Sequence, residues 1–184
     1  MKKLIVALFA SVSLAAGAFA QEAAATVATD YQRVETRTLS PVVFSFQGDD
    51  TIDIIGLRLS AWGSCQNLTG LDLAIGGEAM NAYGLQLALI RNKVNDTAGA
   101  LQLAIGMNSA GVLTGAQVAL YNEAIVAKGL QFGLINTASD VRGFQIGLVN
   151  STDMIYGYQI GLINVIKGSR VPFFPIINFM PSAD

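Results

Sequence analysis

One short unit begins eight times along this chain, at Gly56, Gly70, Gly84, Ala100, Gly115, Gly129, Gly143 and Gly157, with a period close to 14 residues. Its clearest copies are Gly143-Phe144-Gln145-Ile146-Gly147-Leu148-Val149-Asn150 and Gly157-Tyr158-Gln159-Ile160-Gly161-Leu162-Ile163-Asn164. Each copy is a glycine, a glutamine two residues on, and an asparagine that closes an apolar run. A period this short and regular belongs to architectures in which one unit stacks on the next, because a single unit cannot bury its own apolar face.

Within a unit, side chains alternate with the period of a strand. From Gly129 onward, Leu130, Phe132 and Leu134 share one face, while Gly129, Gln131, Gly133 and Ile135 share the other. The first face is apolar in nearly every copy, and on the rule that apolar faces turn inward it is expected to be the core. A helix would place its apolar residues at intervals of three and four and would lose about 1 kcal/mol at each interior glycine. Strands fit the pattern better.

The face opposite the leucines carries Gln86, Gln102, Gln117, Gln131, Gln145 and Gln159, with Arg58 and Asp72 in the first two copies. Stacked in register, these side chains predict an amide ladder, each rung contributing about 0.5–1.5 kcal/mol net. Asn92, Asn108, Asn122, Asn136, Asn150 and Asn164 form a second series at the strand ends, where asparagine suits a tight corner. Both series are expected to be structural. The other reading makes the glutamine side a flat face that meets a partner, with Trp62, Ile90, Tyr121, Ile135, Val149 and Ile163 adding apolar contact.

The unit from Gly84 has 16 residues and that from Ala100 has 15, each with an extra residue before its asparagine, at Arg91 and around Gly106-Met107. A bulge would absorb the insertion. Asp96, Asp140 and Asp153 fall at different places in their units, so a stack of bound metal ions is not expected.

The N-terminus points to export. Lys2 and Lys3 precede an apolar run, and Ala18-Phe19-Ala20 supplies small residues where a signal peptidase reads, so residues 1–20 are expected to be removed. No cysteine follows Ala20 to make this a lipoprotein signal. Loss of Lys2 and Lys3 leaves 9 (11 less 2) basic residues against 13 acidic ones, a formal charge of −4, which argues against a nucleic-acid partner. Cys65 is the only cysteine and there is no histidine to activate it, so a small buried residue is the expected role and catalysis is not.

Composition then divides the chain into a signal peptide (1–20), a flexible leader rich in Ala and Thr (21–38), an N-terminal cap (39–55), the repeat array (56–165) and a C-terminal cap and tail (166–184). The last contains Val171-Pro172-Phe173-Phe174-Pro175-Ile176-Ile177-Asn178-Phe179, whose two prolines suit an edge strand.

The order of units is more specific than any one of them. Ile55-Gly56-Leu57-Arg58-Leu59 and Thr69-Gly70-Leu71-Asp72-Leu73 precede the Gly-x-Gln-x-Gly-Leu-x-Asn copies, and the proline-rich close follows. Over residues 40–179 this resembles the exported bacterial surface repeat-containing proteins known from spirochaetes and other double-membrane bacteria. The resemblance implies an envelope or surface location and brings no catalytic residues with it. Trp62-Gly63 and Gly76-Gly77 stand where later copies have the asparagine corner, a departure in the first two units.

Two architectures satisfy the pattern. The favoured one is an all-β parallel solenoid of about eight 14-residue coils with capped ends. The alternative is a small antiparallel barrel in the outer membrane, with leucines toward lipid; against it, the apolar stretches are shorter than the 9–11 residues or so that a spanning strand needs. The corresponding functions are a non-catalytic structural or surface module meeting an unknown envelope or extracellular partner, and a membrane protein. Membrane association and self-association both stay open. No enzyme activity, cofactor or bound metal is expected.

Overall fold

The computed structural model describes residues 37–39, 41–45 and 51–180, so the signal peptide and most of the leader lie outside the described residues. Every described element is a strand: β1 (Arg37–Leu39), β2 (Val42–Ser45), β3 (Ile52–Ala104), β4 (Met107–Val118), β5 (Tyr121–Phe132), β6 (Ile135–Ile146), β7 (Val149–Ile166) and β8 (Phe173–Phe179). They form one sheet in sequence order, with β1 and β2 both on the leading edge of β3.

The pairing identifies the architecture. From β4 to β7 each residue lies beside the residue 14 positions later, in parallel: Gln117 beside Gln131, Gln131 beside Gln145, Asn122 beside Asn136. Parallel pairing at a constant offset of one unit means that the chain winds as a continuous coil, one unit to the turn. The protein is a parallel β-solenoid. An antiparallel barrel would pair each unit with its neighbour in reverse, so that alternative is excluded.

The 53 residues of β3 are extended backbone wound through more than three coils. The coils have three sides. In the unit from Gly129, one side ends at the bend of Gly133-Leu134, the second at Ser139, which drops out of the ladder, and the third at Gly143. At the third corner the backbone turns through positive φ, 135° at Gly129. A β-carbon there would also collide with the carbonyl oxygen of Gly115 in the coil before, so this corner needs glycine for both reasons.

The 16-residue coil holds two insertions rather than one. Besides the residue added before Asn92, a second is taken up between Val94 and Thr97, where the offset between β3 and β4 falls from 16 to 15 residues. Asn95 and Asp96 at this bulge are exposed.

The ends differ in kind. At the start, β1 and β2 add a parallel partial coil, pairing Arg37 with Ile52 and Val42 with Leu57. Strand pairing thus begins at Arg37, inside the stretch that composition assigns to the leader. At the far end β8 reverses direction and pairs antiparallel with β7, Phe179 opposite Tyr158 and Phe173 opposite Val165. A strand running the wrong way cannot propagate the coil, and it covers the last edge.

The inside of the coil is the reverse of the expectation from alternation. Gln86, Gln102, Gln117, Gln131, Gln145 and Gln159 are 0% exposed, as are all six asparagines of the second series. Beside them lie two apolar columns, one running Cys65, Ala79, Val94, Ala110, Ala124 and the other Leu68, Ala82, Ala98, Leu113, Ala127, Val141, Ile155. The leucine-bearing face expected to be the core points outward: Ile105 is 62% exposed, Phe132 50% and Leu162 65%. The reason is room. A three-sided coil of 14 residues has about four inward positions, and two full leucine columns do not fit among them, whereas amides stacked at strand spacing satisfy one another as they fill the space.

Candidate functional site

The two polar ladders run the length of the regular coils. From Gln102 onward each glutamine donates from Nε2 to Oε1 of the glutamine one coil earlier, from Gln102 to Gln86 (2.8 Å), Gln117 to Gln102 (2.9 Å), Gln131 to Gln117 (3.0 Å), Gln145 to Gln131 (2.8 Å) and Gln159 to Gln145 (2.8 Å). The asparagines donate the other way, toward the C-terminus, from Asn92 to Asn108 (2.9 Å) and on to Asn164 at 2.8–3.1 Å. Dipoles of neighbouring ladders therefore oppose, and the stack carries little net side-chain dipole along its axis.

Each asparagine does a second job. Its Nδ2 also donates to a backbone carbonyl at the bend of the next coil, Asn108 to Val118 (3.0 Å), Asn122 to Phe132 (2.9 Å), Asn136 to Ile146 (2.9 Å). Those carbonyls sit where the strand breaks, and a buried carbonyl without a donor costs about 1–3 kcal/mol. Buried on every side, the Gln and Asn series cannot present a face to a partner, and that part of the expectation is corrected.

The first two coils replace amides with ions. Arg58 donates from Nε to Asp72 Oδ1 (2.8 Å) and from Nη2 to Oδ2 (2.6 Å), with both side chains wholly buried. Nη1 donates to the sulfur of Cys65 (3.1 Å) and to the Glu78 carbonyl (3.1 Å). Burial pulls the Arg58 pKa down, but the hydrogen bond and charge of Asp72 outweigh it, and the guanidinium is held more firmly protonated than usual. Four of the five N–H donors of this group are taken up by protein atoms. Cys65 is a core residue closing that set, as the sequence suggests.

Outside this set, charge gathers around Glu78, whose carboxylate accepts from Lys93 (2.8 Å) and Asn95 (3.0 Å) and lies 3.4 Å from Arg91. The Arg91 guanidinium stacks 5.3 Å from the centre of the Trp62 ring. Chiefly the hydrogen bond from Lys93 holds the Glu78 carboxyl below its ordinary pKa, against the opposing effect of partial burial. Among the described residues no group of three His, Cys, Asp or Glu side chains converges on a point where a metal ion would sit.

What the outward turn of the leucines creates is a sheet face without charge. The second, fourth and sixth residues of the eight units line it, from Leu57, Leu59 and Ala61 to Tyr158, Ile160 and Leu162, and none of these 24 positions holds a charged side chain. Their only polar atom is the Tyr158 hydroxyl. Phe144 stacks on Tyr158 at 6.0 Å, and Tyr158 meets Phe179 of β8 at 5.8 Å, so the terminal strand continues the face. Two shallow grooves run along it, one of ≈ 570 Å³ floored by Gly133, Gly147 and Gly161, the other of ≈ 690 Å³ floored by Ala74, Ala88 and Ala104. Counting the inward positions available to a 14-residue coil would have found this face in the sequence; strand alternation alone says which residues share a face, not which way it points.

Compared with family models, curated proteins and solved structures, the chain matches none.

Proposed function

We propose that this protein is an exported, non-catalytic structural module of a bacterial envelope, a rigid plate that works by docking through its leucine-bearing sheet face. The observation that carries the reading is the face itself. Monomeric soluble proteins seldom expose apolar patches beyond about 300–600 Å², and larger ones mark interaction sites. Here the apolar side chains are held in fixed columns by the polar ladders beneath them. Burying two amide series inside while leucines stand outside makes sense for a chain whose outer surface has to be apolar.

Export is the second part of the proposal and rests on the N-terminal sequence, Lys2 and Lys3 before the apolar run and Ala18-Phe19-Ala20 at its end. The resemblance to envelope surface repeat proteins agrees with it. Among the described residues the interior is filled by the two amide series and the apolar columns, and the Arg58 guanidinium is engaged by Asp72 and the Glu78 carbonyl.

The test is fractionation of a double-membrane bacterium expressing the full reading frame, with intact-mass measurement of the product. The expected result is a chain beginning at Gln21 in the envelope or periplasm. An unprocessed chain that stays in the cytoplasm would overturn the export reading.

A further inference from the structure

Resting on that docking reading, we infer that the occupant of the leucine face is a second copy of this chain, the two faces packing against each other across a two-fold axis. The area of the face suits a second copy. Eight coils at about 4.8 Å spacing and five residues at about 3.3 Å rise give a flat footprint of about 600 Å². Two such footprints bury about 1,200 Å², at the threshold of a specific stable interface, before side-chain relief is counted.

The shape of the face is self-complementary. The sixth-position side chains Leu120, Leu134, Leu148 and Leu162 form a ridge, and beside it runs the groove floored by Gly133, Gly147 and Gly161. Ridge and groove repeat at the same strand spacing, because both are rows of one sheet. A copy turned through a two-fold axis sets its ridge into the other's groove and offers its own groove in return. Such an interface is self-complementary and closes at two subunits, since it consumes the face on both. A partner without the strand repeat of about 4.8 Å, such as a helix with its pitch of about 5.4 Å, would fall out of step after a few coils.

Charge at the rims favours protein over lipid. A face that seats on lipid is bordered by Lys and Arg that meet anionic headgroups. The two rims of this face carry only Arg91, Lys128 and Arg142, Arg91 is already paired with Glu78, and the whole chain has a formal charge of −2. Packing of two uncharged faces asks nothing of the rims.

The experiment is sedimentation equilibrium of the protein expressed from its full reading frame and purified without detergent, compared with Leu134→Lys and, independently, Leu162→Lys. The expected result is a wild-type particle of twice the chain mass. Either lysine variant is expected to weaken the dimer at least 100-fold and to retain the β-sheet circular dichroism of the wild type. A monomeric wild type at tens of micromolar overturns the inference whether or not a variant folds. If that monomer floats with phosphatidylcholine–phosphatidylglycerol vesicles and Leu134→Lys does not, the docking face stands and its occupant is lipid. If it neither dimerises nor floats, the docking reading falls as well. Open-ended polymers that ignore both lysines would also overturn the inference and assign association to the strand edges.

Discussion

Gln131 donates from Nε2 to the Oε1 of Gln117, 3.0 Å away and 14 residues earlier in the chain, with both side chains sealed from solvent. The same Nε2 lies 3.3 Å from the Thr137 carbonyl, and Oε1 accepts from Gln145 at 2.8 Å. Gln131→Leu keeps the volume and removes all three bonds, leaving Gln117 without its donor and Gln145 without its acceptor. Each orphaned amide atom costs about 1–3 kcal/mol. We expect a loss of about 2–4 kcal/mol in chemical denaturation. Lys128→Ala, exposed at the end of the preceding unit, should stay within about 0.5 kcal/mol. Equal effects from the two would mean that the ladder contributes nothing specific.

Arg58 and Asp72 occupy the glutamine column, so their interaction is an ionic version of one ladder rung. Removing one ion strands the other in the interior, a loss of about 3–5 kcal/mol for a broken buried pair. Asp72→Gln alone and Arg58→Gln alone are therefore each expected to destabilise by that order. The double variant restores two amides one coil apart and extends the ladder toward the N-terminus, so it should recover most of the loss. A double-mutant cycle that shows simple additivity would remove the coupling.

How much of this was legible in the sequence divides along a physical line. The period, the strand character and the stacking of Gln131 on Gln145 follow from repetition, because a repeat of 14 with period-two alternation admits few windings. The two polar series could be traced residue by residue. Alternation alone does not say which face turned inward, since Leu130, Phe132 and Leu134 obey it whether buried or exposed; that took a count of the inward positions a 14-residue coil offers. The rule that apolar residues lie inside is a tendency of single chains with roomy cores. In a coil this narrow, the amides that can satisfy their neighbours displace the leucines that would have to fit between them. The second insertion at Asn95-Asp96 was hidden for a different reason, as the chain offers no fixed marker between Asn92 and Ala100 against which to count.

Gly129 and Ala100 stand in the same corner column, yet only the glycine has positive φ. A methyl group at Gly129 would strain the backbone and strike the carbonyl of Gly115. Gly129→Ala is expected to cost more than about 2 kcal/mol, strain at φ alone being worth about 1–3 kcal/mol. Ala100 sits beside the two longer coils, where the corner is relaxed, and Ala100→Gly should cost about 1 kcal/mol or less, the usual loss from added backbone freedom. Thermal melts of the two variants side by side read the difference.

The Glu78 cluster gives the fold a modest acid dependence. Its carboxyl has a lowered pKa in the folded chain, so its contribution is present above the ordinary value of 4.5 and is lost as pH falls through the folded value below it. With side chains partly exposed, the Lys93 and Arg91 contacts contribute about 1 kcal/mol at most. Glu78→Gln should lower stability slightly at pH 7 and flatten the slope below pH 4.5 in urea unfolding. An unchanged slope would place the acid sensitivity elsewhere.

The C-terminal strand closes the stack because it runs backwards. Asn164, last of its ladder, has no further asparagine to accept from its Nδ2 and donates instead to Gly161 (2.8 Å) and to Phe174 of β8 (3.2 Å), while Asn178 returns a bond to the Asn164 carbonyl (3.3 Å). Truncation after Arg170 would strip Phe174 and Asn178 away and expose a full coil edge whose backbone groups match those of any parallel strand. At the other end β1 and β2 already pair in parallel and offer a compatible edge. The truncated chain should therefore join end to end into fibres visible by electron microscopy, growing along the solenoid axis. Those fibres should survive Leu134→Lys, since they join through strand edges and leave the leucine face free. A truncated chain that remains as well dispersed as the whole protein would show that the reversed strand is not what stops the coil from propagating.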